Sequence, residues 1–352
     1  MSGPALSIPN PEAVVERLKS FQQRVRDMVV HSRASADPRH AVKRSSAADT
    51  IYVIDTEVDP LLEAFCEEWA SADGPLVLVA EGLEDAAGNE VESRVFPHGA
   101  AEADAAIRVI VDPIDGTRGI MYDKRAAWAL AGVAPNRGRA TRLRDIEVAV
   151  MTELPTSKMG YGDVLWAIKG QGAGSERVEL KSGLVSPLTL APSKAARIDH
   201  GFATISNFFP GTKVLASELM EFIVSRLIGP ADVTRATVFD DQYISTGGQF
   251  YELIIGHDRF NADLRPAFYR MQGQPLGLCC HPYDCAAWLI AEEAGVILTD
   301  ETGRPLDGPF DTTSGVSWLG YANAQLRDTI EPLVREFLRG RDDKEDTPAQ
   351  HA

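Results

Sequence analysis

The stretch Ile107-Arg-Val-Ile-Val-Asp-Pro-Ile-Asp-Gly-Thr117 confines what this chain can fold into more tightly than any other. Ile107 to Val111 reads as a short strand, because β-branched residues suit a pleated, packed backbone. The strand delivers Asp112 to its C-terminal end. Pro113 fixes one backbone torsion and removes a donor. Asp115 follows three residues after Asp112, so a tight turn can aim both carboxylates at one point. Gly116 permits a close approach of backbone to ligand, and Thr117 offers a hydroxyl and an amide where a helix or turn begins. Hard cations such as Mg²⁺ take oxygen ligands of this kind and retain waters and phosphate oxygens. Taken alone, Asp-Pro followed by Asp-Gly is equally ordinary turn chemistry.

The rest of the chain shifts that balance. The apolar run Pro75 to Ala80 closes on Glu81, and the run Ile51 to Ile54 closes on Asp55. Three acids at strand ends lie along one edge of a sheet, where the sites of open α/β folds form. Around them the pattern predicts helices over 11–32, 58–70, 215–227, 245–256, 283–294 and 326–338. Strands are expected over 126–134, 146–152, 164–169 and 296–299, with a polar loop at 33–49 and a Gly turn at 170–174. A mobile loop or hairpin is expected over 86–106, the loop from 82 to 106 is placed as a lid, and 187–192 as a link. The expected organisation is an N-terminal α+β domain (1–186) with most of the acids and a C-terminal α/β domain (187–340). The charged stretch 341–352 is expected to be a disordered tail.

Composition narrows the function classes. The 352 residues are 44% hydrophobic and 24% charged, as in a globular protein. No apolar run approaches the roughly 20 residues of a membrane helix, and the N-terminal residues lack the pattern of a secretory signal. Of four cysteines, Cys279, Cys280 and Cys285 crowd into one segment, which fits a reduced, cytoplasmic setting. A net charge of −16 speaks against nucleic-acid polymers as partners. It is compatible with a small phosphorylated substrate if bound cations invert the local sign.

The six residues Asp112 to Thr117, with the later His281-Pro-Tyr-Asp-Cys-Ala-Ala-Trp-Leu-Ile-Ala-Glu-Glu-Ala-Gly295, resemble the two signatures of the inositol monophosphatase family. That family shares a superfamily with fructose-1,6-bisphosphatases and bisphosphate nucleotidases. Weaker similarity runs from about Pro11 to about Leu338, through Lys169-Gly-Gln-Gly-Ala-Gly174 and Asp300-Glu-Thr-Gly303.

The resemblance implies an α/β fold, a layered αβαβα sandwich of the sugar-phosphatase type, and a homodimer. It implies a metal-dependent phosphoric monoester hydrolase that uses two or three Mg²⁺ ions to activate water against a phosphate monoester of a small polyol, sugar or nucleotide. Glu81 falls at the family's first metal-binding glutamate. Asp112 would bridge two metals, the Ile114 carbonyl would meet one of them, and Asp115 and Asp284 would hold the second. Asp55 and Thr117 would orient the attacking water, and the Gly116 and Thr117 amides would receive the phosphate. Gly247 and Gly248, in Ser245-Thr-Gly-Gly248, would contact the substrate at a helix start, with Asp263 gripping hydroxyls. Arg259, Arg265 or Arg270 would bind a second anionic group, or else lie at the surface. Lys43 lies where relatives often carry a basic residue.

Two departures stand out. Gly82 follows Glu81 where the family has a second glutamate, leaving Glu84 as a substitute or a plain loop acid, and Tyr283 replaces the usual Trp. His281 and the three clustered cysteines are read as structural. The alternatives are a 3′(2′),5′-bisphosphate nucleotidase, a fructose-1,6-bisphosphatase, or a non-catalytic protein that keeps the fold.

Overall fold

Val14, Leu18, Phe21, Val25 and Val29 recur at three- and four-residue steps along α1 (Pro11–Ser32), and all are buried. Met28, next to Val29 on that helix, is only half-buried. The computed structural model describes residues 6–32, 42–45, 50–84, 89–230, 232 and 234–345. For 32, 42–45, 50–57 and 341–345 it describes the backbone alone. The Lys43 side chain and the tail beyond 345 therefore lie outside the described residues.

After α1 come the paired strands β1 (Val42–Ser45) and β2 (Thr50–Tyr52), then α2 (Val53–Asp73). The first half continues with β3 (Leu76–Ala80), β4 (Ser93–Phe96), β5 (Ile107–Asp115), α3 (Thr117–Met121), β6 (Ala127–Pro135), β7 (Val148–Leu154), β8 (Tyr161–Ile168), β9 (Ala173–Glu179) and β10 (Val185–Pro187). These eight strands form one sheet in the order β10-β9-β8-β7-β6-β5-β3-β4, antiparallel except between β3 and β5. The second half holds β11 (Gly201–Ile205), α4 (Lys213–Leu227), β12 (Val238–Phe239), α5 (Thr246–Ile254), β13 (Asp258–Asp263), α6 (Arg265–Met271), α7 (Trp288–Glu293), β14 (Ile297–Thr299), β15 (Trp318–Tyr321) and α8 (Ala324–Glu345). Its five strands run β12-β11-β13-β15-β14.

The helices make the layers. Leu18, Phe21, Phe65 and Trp69 of α1 and α2 pack on Val109, Val111 and Val150 of the first sheet, and Phe21 stacks on Phe65 at 4.7 Å. The opposite face of that sheet offers Ile110, Leu130 and Met151 to Phe250 of α5 and Trp288 of α7, which lie against the second sheet's Trp318 and Leu298. Helices α4 and α8 pack on each other and on the second sheet, with the Phe222 and Phe337 rings 5.8 Å apart. The result is a layered αβαβα sandwich. Because the first sheet is covered on both faces, its inner strands read as continuous apolar runs rather than alternating ones. Polar bonds lock α5 to that sheet. Tyr251 donates its hydroxyl to Asp163 at 2.6 Å, and Arg177 clasps the same carboxylate with two bonds of 2.7 Å.

Several elements differ from expectation. Asp55 does not close a strand; α2 already begins at Val53. The helix expected over 283–294 is regular only from Trp288, and Pro282 to Ala287 form successive turns that hold Asp284. The 82–106 segment, by contrast, takes the hairpin form, one of its two expected states, with β4 antiparallel to β3. The 259–278 region contains a buried strand, β13, and a short helix, α6. The last helix passes Leu338 and runs to Glu345, so the first residues assigned to the tail are helical. No helix among the described residues is long and apolar enough to cross a membrane.

Candidate active site

In a regular strand, residues three apart point to opposite faces. Asp112 and Asp115 escape that rule. Asp112 pairs with Leu130 of β6 and Asp115 with Trp128, so two residues of β5, Pro113 and Ile114, face the single residue Ala129. This bulge restores the parity and puts both carboxylates on the face that α5 and α7 cover. Pro113, which cannot donate to the ladder, sits inside the bulge. The Ile114 amide donates to Asp112 Oδ1 at 3.1 Å, and the Thr117 hydroxyl donates to the Ile114 carbonyl at 2.8 Å.

Asp284 reaches the same point from the second half. Its Oδ2 accepts the His281 amide at 2.6 Å. One carboxylate oxygen from each of Asp112, Asp115 and Asp284 lies within 4.8 Å of the others. Glu81 directly follows β3, whose Ala80 is in register with Val111 of β5, so it sits beside Asp112 at the parallel strand ends. Burial, then the negative charges of Asp115, Asp284 and Glu81, hold Asp112 well above the usual carboxylate range, against the pull of the Ile114 amide. Each close pair of such charges repels by roughly 4 kcal/mol at an effective dielectric near 20.

Cations would relieve that repulsion, and the donor set says which kind. It is all oxygen, which suits a hard divalent ion such as Mg²⁺ rather than a soft one. The nearby cysteines stay out of it. All are free and buried, burial pushes the Cys279 thiol up to about 12, and Cys280 and Cys285 hydrogen-bond each other at 3.5 Å.

The N-terminal turn of α5 closes the site from the other side. Asp115 Oδ2 accepts the Ser245 hydroxyl at 2.8 Å and the Gly247 amide at 2.6 Å, and Oδ1 accepts the Thr246 amide at 3.3 Å. The anion at this helix start is therefore a side chain of the first half. Gly116 is needed for the approach. It caps α3 in the left-handed region at φ +97°, and a Cβ there would stand 3.0 Å from the Ser245 Cβ. Gly248 donates its amide to the Ser245 hydroxyl at 2.8 Å.

The remaining residues named from sequence fall as follows. Asp55 lies in the first turn of α2, its side chain outside the described residues. Glu84 is exposed and pairs through its backbone with Glu90. Asp263 and Arg265 are buried together, and Arg265 donates Nε to both Asp263 oxygens at 2.9 and 3.0 Å. The Arg265 guanidinium also lies over the Phe208 ring at 4.7 Å. Arg259 donates to the carbonyls of Arg197, Asp199 and His200, and Arg270 pairs with Glu301. The His281 ring contacts the Ser314 carbonyl through Nδ1 at 2.9 Å and stacks on Tyr283. Sequence reasoning passed over Ser245 and Thr246 as partners of Asp115. Their only signal was a capping serine ahead of two glycines.

Fold and site together define a sandwich with a carboxylate cluster between its two sheets, and known proteins share the fold. An IMPase of Thermotoga maritima superposes with a TM-score of 0.59 at 15% identity, covering 94% of this chain and 99% of its own. The extragenic suppressor protein suhB of Bartonella henselae gives 0.60 at 16% identity over 92% of this chain and 99% of its own. A holo-form fructose-1,6-bisphosphatase of Leishmania major gives 0.59 at 12% identity, covering 97% and 100%. In sequence, the chain is 24% identical over 223 residues to a fructose-1,6-bisphosphatase/inositol-1-monophosphatase of Methanothermobacter thermautotrophicus. That match takes in 63% of this chain and spans 65% of the relative's length. No protein-family model matches the chain. The chain thus shares the fold of inositol monophosphatases and fructose-1,6-bisphosphatases, and its sequence is similar to theirs through Asp112 to Thr117 and His281 to Gly295.

Proposed function

We propose that this protein is a Mg²⁺-dependent phosphomonoesterase of inositol monophosphatase type, acting on the phosphate of a small polyol, sugar or nucleotide. The observation that carries the reading is the convergence of Asp112, Asp115 and Asp284 within 4.8 Å. Those three, with Glu81 and the Ile114 carbonyl, would hold two or three Mg²⁺ ions. Bound there, such ions offset phosphoryl charge and lower the pKa of water. Thr117, its hydroxyl proton given to Ile114, keeps lone pairs that accept a hydrogen bond from the attacking water and orient it. Asp55 is its proposed partner in that task. The amides of Gly116 and Thr117 receive the phosphate, and Gly247 and Gly248 bring the α5 turn up to the site. Water attacks phosphorus, the ester P–O bond breaks, and the alcohol leaves with a proton.

The arginines favour a monophosphate over a bisphosphate. Arg259, Arg265 and Arg270, the candidates for a second anionic group, are engaged by carbonyls, Asp263 and Glu301 respectively. Asp263 is committed to Arg265 in the same way, which leaves hydroxyl recognition to groups nearer Asp284. The same reading makes the protein a cytoplasmic homodimer. Phosphate release from a panel of inositol, sugar and nucleoside mono- and bisphosphates, with Mg²⁺ and with chelator, tests it. Turnover of monophosphates that chelator stops is the expected result. Turnover confined to bisphosphates would favour the alternatives, and none at any Mg²⁺ concentration would leave a non-catalytic protein with this fold.

A further inference from the structure

We propose that Ser245 is a positioning residue that sets the Asp115 carboxylate for its cation, so that the second half tunes the metal affinity of a site built mainly from the first. The proposal rests on the metal centre proposed above and concerns this chain's own side chains. Ser245 is buried, with 4% of its surface exposed. Its hydroxyl has one proton to donate. The Gly248 amide, at 2.8 Å, is a donor, so it takes a lone pair of Oγ and leaves that proton free for another acceptor. The acceptor in reach is Asp115 Oδ2, also at 2.8 Å. The direction of the bond therefore follows from the bonding pattern. One hydroxyl caps α5 and orients a carboxylate 130 residues earlier in the chain.

The amides of Gly247 and Thr246 complete the grip, so both Asp115 oxygens have a donor from this turn. Space at the junction is reserved for it. A Cβ at Gly247 would stand 2.5 Å from Leu130 Cδ2 and 3.0 Å from Asp115 Oδ2. A carboxylate fixed at both oxygens presents its remaining lone pairs in one direction, which is what a geometrically demanding ion such as Mg²⁺ requires. Groups that orient a metal ligand typically change metal affinity by about 10- to 100-fold when removed. The competing account is that Ser245 only caps α5. A cap alone supports folding and leaves metal affinity unchanged.

Thermal unfolding of the full chain across a Mg²⁺ titration separates the two. Ligand bound only to the folded state raises Tm with concentration. For Ser245→Ala, the Mg²⁺ concentration needed for a given rise in Tm should increase about tenfold. Ser245→Thr, which keeps the hydroxyl, should restore the wild-type dependence of Tm on Mg²⁺. Ser317→Ala is the control. That buried serine accepts the Ala267 amide at 3.2 Å and touches none of the acids, so its loss should lower only the metal-free Tm. If Ser245→Ala fails to fold, Ser245→Cys, with its weaker donor, is read in the same way. A Ser245 variant that lowers the metal-free Tm while needing no more Mg²⁺ than wild type for the same rise overturns the proposal. A wild-type protein that does not respond to Mg²⁺ removes the metal centre itself, and this proposal with it.

Discussion

Asp112→Asn should cut phosphate release by roughly 10³-fold or more, while raising the Tm of the metal-free protein by about 2 °C or more. The two signs together are the signature. Asp112 lies among Asp115, Asp284 and Glu81, and burial plus their charge push it well above the usual carboxylate range. Without cations the folded state is strained by that crowding, so removing one charge relieves it. With cations the same charge is an attraction, so removing it costs binding and turnover. The variant keeps the shape and keeps an oxygen for the Ile114 amide, which bonds Oδ1 at 3.1 Å. Calorimetry in chelator and an assay with Mg²⁺ check both halves. Unchanged turnover would take Asp112 out of the chemistry, and a lowered metal-free Tm would mean the cluster is not under like-charge strain.

Arg265→Met should destabilise the protein by about 3–5 kcal/mol, because breaking a buried ion pair leaves a carboxylate uncompensated. Asp263 is 1% exposed and Arg265 4%. Besides its bonds to Asp263, Arg265 donates Nη1 to the Leu278 carbonyl at 3.2 Å and lies over the Phe208 and Phe209 rings at 4.7 and 5.3 Å. The guanidinium is thus the joint between β13, α6 and the loop after β11. Replacing Asp263 by Asn in the same chain removes the buried charge and should recover much of the loss. Urea unfolding measures the effect. An unchanged midpoint with a large rise in KM would instead make Arg265 a substrate contact, the role its sequence neighbourhood suggested.

The acids of the cluster were legible in the sequence because short-range chemistry marks them. Asp112 and Asp115 sit in a segment where a strand meets proline and glycine, whereas Asp284 was marked only by the resemblance of His281 to Gly295 to a family signature. What brings them to one face was less visible. The bulge that flips Asp115 depends on the register with β6, which is a property of two strands. The acid Asp55 was misplaced because Val53 and Ile54 suit a strand as well as a helix, and tertiary packing decides between them. Strand β13 was missed because Asp258, Asn261 and Asp263 look like loop residues. They are buried because they satisfy one another and their neighbours, as in the 2.8 Å bond from Asn261 to Asp258 and the Arg265 clasp. The commitments of the arginines and of Ser245 were equally hidden, since each partner lies on a different element.

Anomalous diffraction from crystals grown with Mn²⁺ in place of Mg²⁺ tests the central claim most directly. At least one strong anomalous peak should appear between the carboxylates of Asp112, Asp115 and Asp284, with Glu81 turned toward it. Saturating Mn²⁺ with no peak there, and the three carboxylates still gathered, would contradict the metal-centred account.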